Sequence, residues 1–194
     1  MAGITATTDL VKLKKIFNDP ASLLLSNTSY DLTSGTTEKP LTLTFDYKFP
    51  VTVDTLKVNQ DDPTVNHYKI IGLSGDWATS AKLGDVSIQL TVASIADEAL
   101  KACFGEDAVS ALTNIKIGDG TYTGSGLNMR KHKIEGTLAI VASNGTDVML
   151  IPGTALYAKL LWDNAETEPF AIQISGGIEV NEEKPSIAWI TKSK

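Results

Sequence analysis

With 194 residues, 42% of them hydrophobic and 21% charged, the chain suits one domain of ~100–200 residues. Such a domain buries roughly 70% of its unfolded surface and needs no disulfide or metal to fold. Seventeen basic and 23 acidic residues leave a formal charge of -6, which argues against a protein whose task is to neutralise a phosphate backbone. A single cysteine, Cys103, excludes an intrachain disulfide and a zinc site of paired thiolates, and two histidines, His67 and His132, leave few places for imidazole chemistry.

The first 15 residues show no basic region followed by an apolar run, so no secretory signal is visible. The densest apolar run, Leu23-Leu24-Leu25, falls far short of the ~20 residues that cross a bilayer. A soluble intracellular domain is expected. Residues 8–18 fit a short helix, with Leu10, Leu13, Ile16 and Phe17 three and four apart and Pro20 as its stop. They fit an ordered arm nearly as well. Residues 26–40, rich in Ser, Thr and Gly, read as a loop, so about 1–40 is expected to be an N-terminal arm and loop.

The strongest periodic signal follows. Leu41, Leu43, Phe45, Tyr47, Phe49, Val51 and Val53 alternate with Thr42, Thr44, Asp46, Lys48, Pro50, Thr52 and Asp54. Period two predicts one long bent strand, or two strands meeting near Phe49-Pro50, because proline donates no ladder hydrogen bond. Asp61-Asp62-Pro63 and Gly75-Asp76-Trp77 mark turns around a strand at 67–73, and 85–92 alternates cleanly. The period then changes. Ser94 and Asp97 have capping-box spacing, and Ala96, Ala99, Leu100 and Cys103 form an i, i+3, i+4, i+7 stripe ending at Gly105. This predicts one helix over about 94–104.

Residues 108–117 are ambiguous, and 118–126 form a glycine-rich loop with an Asp119-Gly120 turn. Residues 132–141 alternate again, Asn144-Gly145 is a hairpin turn, and 148–151 returns. Residues 153–162, apolar on both faces, fit a helix, but between two strand runs they read rather as a buried strand, with 155–162 as its apolar stretch. Further strands are expected over 169–180 and 186–190. The sum is a mainly β chain, a β-sandwich or open barrel with one flanking helix.

Catalytic signatures are scarce. No Lys-Ser or Lys-Thr follows the glycines of 118–126 and no helix follows them, so a phosphate cradle is disfavoured. Asp119, Gly120, Tyr122, Gly124 and Gly126 are instead candidates for a mobile hairpin or inter-subunit loop. Arg130, Lys131 and Lys133 make a basic cluster in an acidic protein, either a solvated strand end or a contact with a neighbour's carboxylates. Cys103, on the helix's apolar stripe, reads as a small buried hydrophobe. Asp97 and Glu98 suit the first turn of a helix. No catalytic, cofactor or metal site is expected, and the chain is not expected to be an enzyme. Trp77, Trp162 and Trp189 lie far apart in sequence and fit packing or interface anchoring.

The order of elements carries a resemblance: strand 85–92, helix 94–104, a variable loop, then "IEGTLAIV", "NGTDVMLIPG" and "EPFAIQI" between residues 133 and 175. This resembles the tube-forming (major tail) proteins of long-tailed bacteriophages, across roughly residues 66–180. The resemblance implies a small sandwich with one flanking helix, six copies in a ring, and rings stacked into the tail tube through which the genome passes. Injection tubes of phage-like secretion systems are implied equally. It further implies other tail proteins as partners, DNA as transient non-specific cargo, no membrane, and a place in the virion after assembly in the host cytoplasm. Residues 1–65 show no family pattern.

A tube wall should repel its cargo through like charge. The hydrophilic face Thr42, Thr44, Asp46, Lys48, Thr52 and Asp54 is therefore the candidate lumen-facing set. Loops 26–40 and 118–126 are candidates for ring-to-ring contacts. The competing expectation is a secreted or surface β-sandwich that binds glycans or acts as an adhesin.

Overall fold

The computed structural model describes residues 16, 17, 19–72, 74–163, 166–180 and 183–193. Among the described residues the protein is mainly β, as its period-two segments require, with one α-helix. The helix expected over 8–18 lies outside the described residues except for Ile16 and Phe17, which are not helical.

One eight-stranded antiparallel sheet forms the body. Its strands are β1 (Pro20–Ser26), β2 (Tyr47–Phe49), β3 (Lys57–Gln60), β6 (Val86–Val92), β9 (Ile134–Ala142), β10 (Asp147–Leu161), β11 (Ala171–Ile178) and β12 (Ala188–Thr191). They run in the order β2-β1-β9-β10-β11-β6-β3, with β12 beside the start of β10. The sheet closes on itself. Val51 bridges Val92 at the end of β6, the Thr52 N–H donates to Thr91 O at 3.0 Å, and the Ala93 N–H donates to Pro50 O at 3.3 Å. The segment that begins beside β1 thus ends beside β6, and Pro50 stands at the corner, where a missing N–H costs no ladder bond. A 3-10 turn, Val53–Thr55, completes the crossing. Its Thr55 hydroxyl accepts the Thr91 N–H at 3.0 Å and donates to Thr52 O at 2.7 Å.

The large core side chains sit at alternate positions, although Thr137 and Ala139 of β9 and Thr91 of β6 are buried between them. Leu23 and Leu25, Ile88 and Leu90, Leu138 and Ile140, Ile151 and Leu156, and Ile172 and Ile174 are all essentially inaccessible. β10 runs through a register shift between Ile151 and Thr154, where Pro152 and Gly153 bulge out of the ladder and Pro152 O accepts the Thr137 hydroxyl at 3.0 Å. The expected all-buried strand at 155–162 is corrected: Leu156 is buried, but Tyr157, Lys159 and Trp162 face outward. The hairpin turn at Asn144-Gly145 forms as expected. Asn144 Oδ1 accepts the N–H groups of Thr146 and Asp147, and Gly145 takes φ 66°.

The helix, α1 (Asp97–Phe104), packs Ala99, Leu100, Cys103 and Phe104 into the core cluster. Its start corrects the capping box. Ala96 occupies the N-cap, and the Ser94 hydroxyl instead accepts the Ala96 N–H at 3.2 Å, two residues ahead of the cap position. Gly105 ends the helix at φ 97°, with its N–H donated to Lys101 O at 2.8 Å.

Three further expectations are corrected. The N-terminal arm is not an arm throughout, because β1 lies between β2 and β9 in the sheet and its leucines are core. The long strand over 41–54 shrinks to Tyr47–Phe49. β1 ends at Ser26, so residues 41–45 have no ladder partner, and the Thr44 backbone is held instead by the Tyr30 hydroxyl at 3.1 and 3.2 Å. The glycine-rich segment 118–126 is not a loop: only its first residues turn, and the rest is a strand.

Candidate assembly surfaces

Two hairpins stand apart from the body, each a two-stranded sheet of its own. The first pairs β4 (Thr64–Tyr68) with β5 (Ala78–Lys82). The strand expected at 67–73 is shifted, since the chain leaves the ladder after Tyr68 and residues 69–72 and 74–77 are not strand, Leu73 lying outside the described residues; His67 Nδ1 lies 2.6 Å from Asp76 Oδ2. The second pairs β7 (Val109–Ile117) with β8 (Gly120–Leu127), joined at Gly118 with φ 59°. Every residue of β4 is exposed, as is every residue of β7 beyond Val109. A lone two-stranded hairpin is marginal in water, so such arms call for something to pack against.

The register of β7 with β8 decides which side chains share a face. Leu112 opposes Gly124, Ile115 opposes Tyr122 and Ile117 opposes Gly120, with one extra residue bulged between Leu112 and Ile115 and Asn114 at φ 58°. Leu112, Ile115, Ile117 and Tyr122 therefore lie on one face, all exposed. The other face carries Ala111, Lys116, Thr121, Thr123 and Ser125. At its base Val109 and Leu127 pack on the core, and the Ser125 hydroxyl bonds the Asp97 carboxylate of α1. Beyond that base both faces of the arm are exposed, and one of them is apolar.

Of the loop candidates, Asp119, Tyr122 and Gly124 are exposed, while Gly120 and Gly126 are half-buried. The Tyr122 ring lies over Gly120, and the Ser110 hydroxyl and Leu112 lie over Gly126. Above Gly124 nothing lies within 4 Å of where a Cβ would stand. Sequence reading saw the glycines but not the face, because only pairing register brings Leu112 and Tyr122 together across a bulge.

The basic cluster divides. Lys133 is held by its own chain, 2.6 Å from Glu135 and 2.8 Å from Glu179, and these carboxylates push its ammonium well above the ordinary lysine range. Lys131 sits over the Tyr157 ring, 5.5 Å from its centroid. Arg130 is exposed. Only Arg130 and Lys131 therefore offer charge outward.

All six hydrophilic positions of the 42–54 run are exposed, but they fall in two surroundings. Asp46 and Lys48 border a hollow with Ser94 and Glu98, and Asp46 also accepts the Asn27 N–H at 2.9 Å. Thr52 and Asp54, beyond the Pro50 corner, border a cleft of about 320 Å³ with Gln89, Asp163 and Glu168. Thr42 and Thr44 lie on the ladder-free stretch. Among the described residues no group of three His, Cys, Asp or Glu side chains is placed to hold a metal. No helix among them is long and apolar enough to cross a membrane.

Cys103 is wholly buried, and burial pushes its thiol up to about 12, which makes it a poor nucleophile. His132 packs against Gly105, with Nδ1 3.3 Å from where a Cβ would stand. The three tryptophans are all more than half exposed, so none is a core residue; Trp162 meets Phe170 edge-on at 5.6 Å and donates its indole N–H to Glu168 O. Exposed tryptophan is a recurrent component of interfaces. Compared with known proteins, the chain matches no family model and no characterised relative.

Proposed function

We propose that this chain is a structural, self-assembling protein whose copies form stacked rings, and, from its resemblance in sequence to phage major tail proteins, that these are the hexameric rings of a tail tube. The observation that supports assembly most is the β7–β8 arm, whose apolar face of Leu112, Ile115, Ile117 and Tyr122 is left exposed by the described residues. A ring closes through heterologous contacts, so each copy must offer two complementary surfaces. An arm on one copy and a receiving surface on the next would meet that need, and shared arms would leave no sheet edge bare. The acidic balance of the chain suits a wall along which DNA passes without sticking. The partners under this reading are further copies and other tail proteins, and catalysis has no part in it.

Electron microscopy of negatively stained protein, with sedimentation velocity over a hundredfold range of concentration, tests the proposal. Rings or tubes are expected. A monomer that persists at the highest concentration refutes assembly, and closed dimers refute the ring.

A further inference from the structure

We propose that the tip of the β4–β5 arm of one copy docks on the apolar face of the β7–β8 arm of the next, an apolar side chain of the tip entering the gap above Gly124. This inference rests on the self-assembly proposed above and names the surfaces that meet. The receiving face has Leu112, Ile115, Ile117 and Tyr122 between 41% and 65% exposed, roughly 400 Å² of apolar surface. The described residues of the tip include Ile70, Ile71 and Trp77; Ile71 is fully exposed and Trp77 is 66% exposed, so their accessible area is similar. Together they supply about 850 Å². A standard interface buries ~1,600 Å² in total, a little over half of it apolar, so one tip on one face matches the apolar share of a stable contact. Within a single chain both remain bare, so the tip is not seated on the face of its own copy.

The shapes also correspond. On the receiving face β8 contributes glycine at 120, 124 and 126 and a side chain only at Tyr122. Tyr122 covers Gly120, and Ser110 with Leu112 covers Gly126, but the position between them is open. The result is an open gap on the apolar face above Gly124, which pairs with Leu112 and lies two residues from Tyr122. A protruding Ile71 is the shape that fills it. The contact is tip to face, and between successive copies related by one rotation it is heterologous and can close a ring.

The test uses the full chain. Gly124→Val fills the gap at a position with ordinary φ and open space, where a β-branched residue suits the strand, so the protein is expected to unfold at or above the wild-type temperature. Assembly, read by sedimentation velocity, should need at least tenfold more protein, and Ile71→Asp should act alike. Mixing Ile71→Cys with Gly124→Cys chains under copper phenanthroline should give disulfide-linked dimers in yield well above either chain alone, since the native Cys103 is buried. If wild type assembles but both variants assemble equally and no cross-link forms, the arm-to-arm contact is overturned and assembly stands. If wild type stays monomeric throughout, assembly itself fails and takes this contact with it.

Discussion

Gly136→Ala should be among the most damaging conservative changes in this chain, and Gly124→Ala among the least. Gly136 lies in β9 at φ 127°, where L-residues are rarely found, and a Cβ there would stand 1.9 Å from Ser26 O of the neighbouring strand. Backbone strain in a glycine-only region costs roughly 1–3 kcal/mol. Normal contact needs ~3.5 Å, so β1 and β9 must also part near Ser26 and Thr137, at roughly 1–3 kcal/mol for an overpacked site. The buried bond from the Thr154 hydroxyl to Gly136 O, 3.2 Å long, would be strained, adding ~1 kcal/mol. A loss of about 4 kcal/mol is expected, a large part of a typical 5–15 kcal/mol. For a chain of this size that lowers Tm by about 8–16 °C. Gly124→Ala meets no neighbour and should be neutral or gain up to ~1 kcal/mol through reduced freedom of the unfolded chain. Circular dichroism melts and urea titrations should be run in the Ile71→Asp background, so that association does not raise the apparent stability. A Gly136→Ala chain within 1 kcal/mol of its parent would refute the close approach of β1 and β9.

Other outcomes follow from single contacts. The Cys103 thiol should resist a disulfide reagent at pH 8 in the native protein and react fully in denaturant. The fold holds that thiol neutral, so stability should fall as pH rises from ~8.5, where the unfolded chain ionises, towards about 12, and a Cys103→Ala chain should lack this slope. Asp31, which accepts Lys184 at 2.8 Å, is held down to about 2 chiefly by that contact. Its contribution is present above pH ~4 and lost as pH falls through about 2; NMR titration should show the Asp31 carboxyl returning to the ordinary range in Lys184→Met. Asn144→Ala removes two backbone acceptor contacts and the 2.6 Å bond to Asp147, and should cost ~1–2 kcal/mol in urea unfolding. Ile140→Ala, at a fully inaccessible site, should cost ~2–5 kcal/mol by the same measurement.

The sequence by itself determined which residues face inward, wherever a strand has the same neighbours along its whole length. Ile88, Leu90 and Val92, and Ile134, Leu138 and Ile140, are buried as their alternation requires, because period two is a property of the extended backbone alone. It also placed the helix, since the stripe through Ala99, Leu100 and Cys103 and the glycine after it are local. Where neighbours change, local reading failed. Residues 41–52 keep their alternation of exposure, yet only Tyr47–Phe49 is strand, because β1 ends at Ser26 and β6 takes over at Val51. Leu23, Leu24 and Leu25 gave no period, because a central strand whose first two residues are proline and alanine shows too little alternation to read. The assembly surface was the least legible part. The glycines of 118–126 were visible as residues, but Leu112 and Tyr122 became one apolar face only through register across a bulge. Pairing register is a long-range quantity, and only the tertiary structure decided it.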